Sequence, residues 1–69
     1  MTADEWIAAY ANELGTEPPT EAEVGELLEL AAAAAHSSER IAAPLACYLA
    51  GRDGRSVPDL RALAERVAG

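Results

Sequence analysis

The chain has 69 residues, 51 % of them hydrophobic, with 12 Asp plus Glu against 5 basic residues and a formal charge of -7. That length excludes a second core, and a domain this small hides only about 60 % of the surface its unfolded chain exposes, so good helix packing or a partner must support it. A single Cys and a single His exclude an internal disulfide and a Cys/His zinc site, and the acidic balance argues against nucleic acid, whose phosphates need more cations than this chain carries.

The first predicted helix covers 3–14. Thr2 stands at its N-cap with Glu5 three positions later, and Trp6, Ile7, Tyr10 and Leu14 recur at spacings of three and four. Gly15 is placed to end it, and Pro18-Pro19 bars continuation. Thr20 with Glu23 repeats the capping pattern and opens a second helix over 21–35. Its Val24, Leu27, Leu28 and Ala31 form an apolar side, while Glu21, Glu23, Glu26 and Glu29 mark a wet one. A third helix is expected over 41–50, starting close to Ile41 so that Pro44 falls in the first turn, where its missing N–H is harmless. Gly51 and Gly54 punctuate the later part of the chain. Ser56 with Asp59 then opens a fourth helix over 57–68, carrying Val57, Leu60, Leu63, Ala64 and Val67 on one side, although Asp59 fits the capping box less well than the two Glu residues do.

No stretch alternates as a strand would. The predicted fold is all-α, a compact bundle of about four short helices forming a single domain over 1–69. Its expected core is Trp6, Ile7, Tyr10, Leu14, Val24, Leu27, Leu28, Ile41, Leu45, Tyr48, Leu49, Leu60, Leu63 and Val67.

Two stretches carry no charge, Leu30 to Ala35 and Ile41 to Ala50, and a helix apolar all round is either buried or lies in an interface. The end of the second helix is therefore expected to pack on the third through its small side chains. Leu30, Ala34, Ile41, Leu45, Cys47 and Leu49 are the candidate interface residues for a protein partner or for a second copy in a homodimer. Residues 1–35 hold eight acids and no base, whereas 36–69 hold four acids and five Arg. Such an asymmetry can orient an encounter with a basic patch on another protein, or serve as a solvated acidic face.

The dense polar cluster His36-Ser37-Ser38-Glu39-Arg40 lies between the two uncharged stretches. Functionally, His36, Ser38 and Arg40 with free N–H groups at the start of the third helix form a candidate anion site. Structurally, His36 suits the C-terminal dipole of the second helix, Ser37 or Ser38 caps the third, and Glu39 and Arg40 pair locally. The loop Gly51-Arg52-Asp53-Gly54-Arg55-Ser56 lacks the phosphate-loop pattern and reads as a solvated turn. Cys47 reads as a small core residue, and Trp6 with Tyr10 as core or interface anchors. No nucleophile with a base, metal set or nucleotide loop is recognisable, so the expectation is a protein that is not an enzyme, with no cofactor and no metal.

The opening Met1-Thr2-Ala3-Asp4-Glu5 lacks the basic start of a secretory leader, and no apolar run approaches the roughly 20 residues of a membrane span, so a cytoplasmic protein without membrane contact is expected. All basic residues are Arg and Ala is abundant, a bias typical of bacterial genomes rich in G and C.

Trp6 in the opening helix, the Leu27-Leu28-Glu29-Leu30 segment, and chiefly His36, Glu39-Arg40, Ala43-Pro44-Leu45 and Leu49-Ala50-Gly51 together make the chain resemble a small helical bacterial domain of unknown function. That domain is found alone or attached to nucleotidyltransferases of the molybdenum cofactor guanylyltransferase type. The resemblance covers nearly the full length. It implies no activity of its own, only an association with a nucleotidyltransferase of that type in assembling molybdopterin guanine dinucleotide. This chain has none of the nucleotide-transferring parts, so with the missing catalytic groups the expectation is a non-enzymatic binding or accessory module. The alternative is a small anion- or nucleotide-binding protein using His36 and Arg40.

Overall fold

The computed structural model describes residues 1–69 and contains α1 (Ala3–Leu14), α2 (Glu21–Ser37), α3 (Ala42–Asp53) and α4 (Val57–Ala68), with no strand. The all-α class and the bundle of four short helices are as predicted.

Helix starts follow the capping chemistry. Thr2 Oγ1 accepts the Glu5 N–H at 3.1 Å, and Glu5 Oε1 accepts the Thr2 N–H at 2.7 Å. Thr20 and Glu23 repeat the reciprocal pair at 3.1 and 2.8 Å. Ser56 Oγ only accepts the Asp59 N–H, at 3.4 Å, because the shorter Asp side chain forms no return bond. Gly15 closes α1 at φ 73° and hands its N–H to the Ala11 and Asn12 carbonyls.

The second and third helices differ from their predicted bounds. α2 runs on to Ser37 because Ser37 Oγ donates to the Ala33 carbonyl and Ser38 Oγ to the Ala34 carbonyl, both at 2.6 Å. The two serines thus close α2 and do not cap α3. α3 starts at Ala42 with Ile41 in the N-cap position and no side-chain cap. It continues through Gly51, which punctuates nothing, and stops at Gly54, whose φ of 87° suits only a residue without Cβ.

α2 is the central element, packed against α4 and α3, and α1 makes no comparable contact with any helix. The buried residues are Ala11, Leu30 and Ala50, with Leu30 only 2 % exposed. Enclosing one leucine this way is worth about 1.5–3 kcal/mol. The predicted core is therefore corrected. Val24, Leu27, Leu60 and Leu63 are half-buried, but Trp6, Ile7, Tyr10, Leu14, Leu28, Ile41, Leu45, Tyr48, Leu49 and Val67 are exposed. Periodicity finds the apolar side of a helix but not what covers it. Here α2 and α3 meet through small residues, with Ala31, Ala34, Ala35, Ala42, Ala43, Ala46 and Cys47 half-buried and Ala50 buried.

A Cβ added at Gly51 would meet open space. Gly51→Ala is therefore expected to raise unfolding free energy by about 0.5–1 kcal/mol, and Gly54→Ala to lower it by about 1–2 kcal/mol, both read from urea unfolding.

The Glu5 carboxyl is held below its usual range, first by the backbone N–H of Thr2 and then by the Thr2 hydroxyl. A depressed pKa contributes stability that is fully present above the unfolded-chain value and is lost as pH falls through the folded one. Acid titration by circular dichroism should show helix loss there, and Glu5→Gln should remove that step.

Candidate functional site

The anion site expected at the start of α3 does not assemble. The N–H of Ala42 donates to the Glu39 carbonyl at 2.9 Å and that of Ala43 to the Arg40 carbonyl at 3.1 Å. Pro44 has no N–H, so the first three positions of α3 offer no free donor to an anion. His36, in the last turn of α2, lines a shallow cleft toward α4 together with Glu29, Ser37 and Glu65. Two carboxylates in that lining disfavour an anion beside the imidazole. Arg40 is not part of the cleft, is exposed and forms no ion pair. The local Glu39–Arg40 pairing expected from the sequence is likewise not formed, and Ser38 commits its hydroxyl proton to Ala34.

The Gly51–Ser56 segment is engaged internally, as a turn would be. Arg55 Nε lies 3.3 Å from Asp53 Oδ1, the Arg55 N–H also donates to that carboxylate at 3.2 Å, and the Arg52 guanidinium sits 5.5 Å from the Tyr48 ring centroid.

One polar cluster was missed in the sequence. Arg61 on α4 donates through Nε to Glu26 of α2 at 2.6 Å and through an Nη to Glu65 at 2.8 Å. The i,i+4 spacing of Arg61 and Glu65 was a readable signal, but Glu26 lies 35 positions away and only packing of α4 on α2 brings it near. Glu26, by hydrogen bond and charge, and then Glu65 push the Arg61 guanidinium above its already high pKa. The cluster clips α2 and α4 together. Burial alone raises the Cys47 thiol, which makes the thiolate scarcer and the residue less nucleophilic. No three His, Cys, Asp or Glu side chains lie close enough to hold a metal ion, and no helix is long and apolar enough to cross a membrane.

What the surface does offer is apolar. Of the six candidate interface residues, Leu30 is corrected to the core and Ala34 and Cys47 are half-buried, while Ile41, Leu45 and Leu49 are open. Ile41, Leu45, Tyr48, Leu49 and Arg52 follow one another at spacings that place them on a single outward face of α3, where Leu45 is 62 % and Tyr48 67 % exposed. α1 carries a second such face. Its Trp6 and Tyr10 rings pack at 5.1 Å between centroids and yet are 54 % and 50 % exposed, with Leu14 continuing the stripe. Between α3 and α4 a shallow groove floored by Leu30 is lined by Leu49, Leu60, Leu63 and Val67.

The chain belongs to a family described as a domain of unknown function, DUF6457, whose family model matches residues 1–69. Neither a curated protein nor a solved structure matches it.

Because Arg61 alone ties α4 to α2 by charge, Arg61→Met should lower the thermal midpoint measured at low salt. The deficit should shrink in high salt, where screening weakens the wild-type ion pairs.

Proposed function

We propose that this member of the family is a non-enzymatic binding module that docks onto protein through the outward apolar faces of α1 and α3. The observation that carries the reading is the inverted distribution of side chains: alanines meet inside, while Trp6, Tyr10, Leu45 and Tyr48 face water. Monomeric proteins rarely leave contiguous apolar patches of this kind, and aromatic side chains are the usual anchors of interfaces.

The partner class comes from the resemblance through His36, Glu39-Arg40, Ala43-Pro44-Leu45 and Leu49-Ala50-Gly51. It is a nucleotidyltransferase of the molybdenum cofactor guanylyltransferase type, beside which this chain serves as an accessory in a cytoplasmic setting. The competing reading, an anion- or nucleotide-binding protein using His36 and Arg40, has the unpaired Arg40 in its favour. Against it stand the engaged amides of α3 and the two Glu beside His36.

Titrating a purified guanylyltransferase of that type into the chain separates the two. Saturable binding that is lost in Tyr48→Asp and kept in Arg40→Ala supports docking through α3. No binding to that enzyme, together with stoichiometric binding of phosphate or a nucleotide that shifts the His36 resonances, overturns it.

A further inference from the structure

We propose that two copies of this chain form a closed two-fold dimer in which α1 of each lies along the outward face of α3 of the other. The proposal rests on the reading that these faces dock onto protein, and it names a second copy as their occupant when no enzyme is bound, so that docking onto the enzyme exchanges one partner for the other.

Surface area is the first argument. The chain exposes 5362 Å², whereas a folded monomer of 7.2 kDa exposes about 4,100 Å², an excess of about 1,200 Å². A standard protein interface takes about 800 Å² from each partner, so the excess is more than enough for the area each copy would bury in a dimer.

Shape is the second argument. α1 and α3 are each 12 residues long, about 18 Å at the rise of an α-helix, so one can cover the other end to end. The stripe Trp6, Tyr10, Leu14 and the stripe Ile41, Leu45, Leu49 both repeat every four residues, the spacing at which side chains of one helix interleave with those of another. Within one chain α1 does not pack on α3 to any comparable extent.

Charge decides which face meets which. Helical spacing places Glu13 on the border of the α1 stripe, and residues 1–35 contain no base at all. The α3 face carries Arg52 and begins beside Arg40, which lacks a carboxylate partner in its own chain. Pairing α1 with α1 would oppose acids, and pairing α3 with α3 would oppose arginines. Only α1 on α3 is complementary, and under a two-fold axis that contact forms twice and closes the assembly.

Sedimentation equilibrium of the full chain tests this. The expected result is a particle of twice the 7.2 kDa chain mass. Leu45→Asp should weaken association by about a hundredfold or more. Circular dichroism should be unchanged in that variant, since Leu45 is exposed in the single chain, and Tyr48→Ser provides a second probe should Leu45→Asp fail to fold. Emission from the sole tryptophan, Trp6, should move to shorter wavelength as the dimer forms, although neither substitution lies in α1.

A charge swap tests the pairing itself. Glu13→Arg, and separately Arg40→Glu with Arg52→Glu, should each associate poorly alone and form a heterodimer when mixed. A one-chain mass up to millimolar concentration, an open polymer, association indifferent to both α3 substitutions, or mixed charge variants no better than either alone would each overturn the proposal. A single-chain species that still binds the guanylyltransferase overturns the dimer and leaves the docking reading standing.

Discussion

Contact between alanines is the constraint on which the rest of this structure depends. Along the seam of α2 and α3 the half-buried residues are Ala31, Ala34 and Ala35 on one side and Ala42, Ala43, Ala46 and Cys47 on the other. Side chains this short let two helix backbones approach closely, and the gap then admits nothing larger. Leu45 and Tyr48 of α3 consequently lie away from the seam, and Leu49 borders the groove toward α4. Leu30, which α2 directs toward α3 and α4 together, is the one large side chain that becomes buried. The small inside and the large outside of this chain are two consequences of one packing choice.

Electrostatics follow the same division. Five of the twelve acids, Asp4, Glu5, Glu21, Glu23 and Asp59, stand in first turns of helices, where the dipole and the free N–H groups favour them. The acidic first half therefore needs few intramolecular cations. One long-range ion pair joins it to the second half, between Glu26 and Arg61. Because Arg40 finds no carboxylate and Arg52 rests on Tyr48, attraction between the acidic and the arginine-bearing halves is left largely unsatisfied within one chain. It is available between molecules.

The polar segment between α2 and α3 shows how far residue types can be read without geometry. His36, Ser38 and Arg40 suggest an anion site because each can donate a hydrogen bond. The segment instead directs its serine hydroxyls to the Ala33 and Ala34 carbonyls and its following amides to the Glu39 and Arg40 carbonyls. Local satisfaction of backbone groups took precedence over assembly of a pocket, as expected where a helix ends and another begins within four residues. The candidate interface residues divide between surface and core. An uncharged helix in a small acidic chain implied an apolar surface, and Ile41, Leu45 and Leu49 do lie on one, whereas Leu30 does not.

By itself the sequence determined whatever depends on neighbours within one helical turn. The all-α class, the starts at Thr2, Thr20 and Ser56 and the stop at Gly15 are short-range hydrogen-bond and backbone problems, and they were readable residue by residue. The ends of α2 and α3 were readable only in part, because Ser37, Ser38 and Gly51 are each compatible with continuing or stopping, and the balance between those choices is small. Tertiary structure alone decided which side of each helix is covered. Periodicity marks Trp6, Tyr10, Leu45 and Tyr48 as one-sided, but a side chain is buried only when another element comes to lie on it: α2 packs on the small-residue side of α3 and leaves Leu45 and Tyr48 open, and α1 packs comparably on no helix and leaves Trp6 and Tyr10 open.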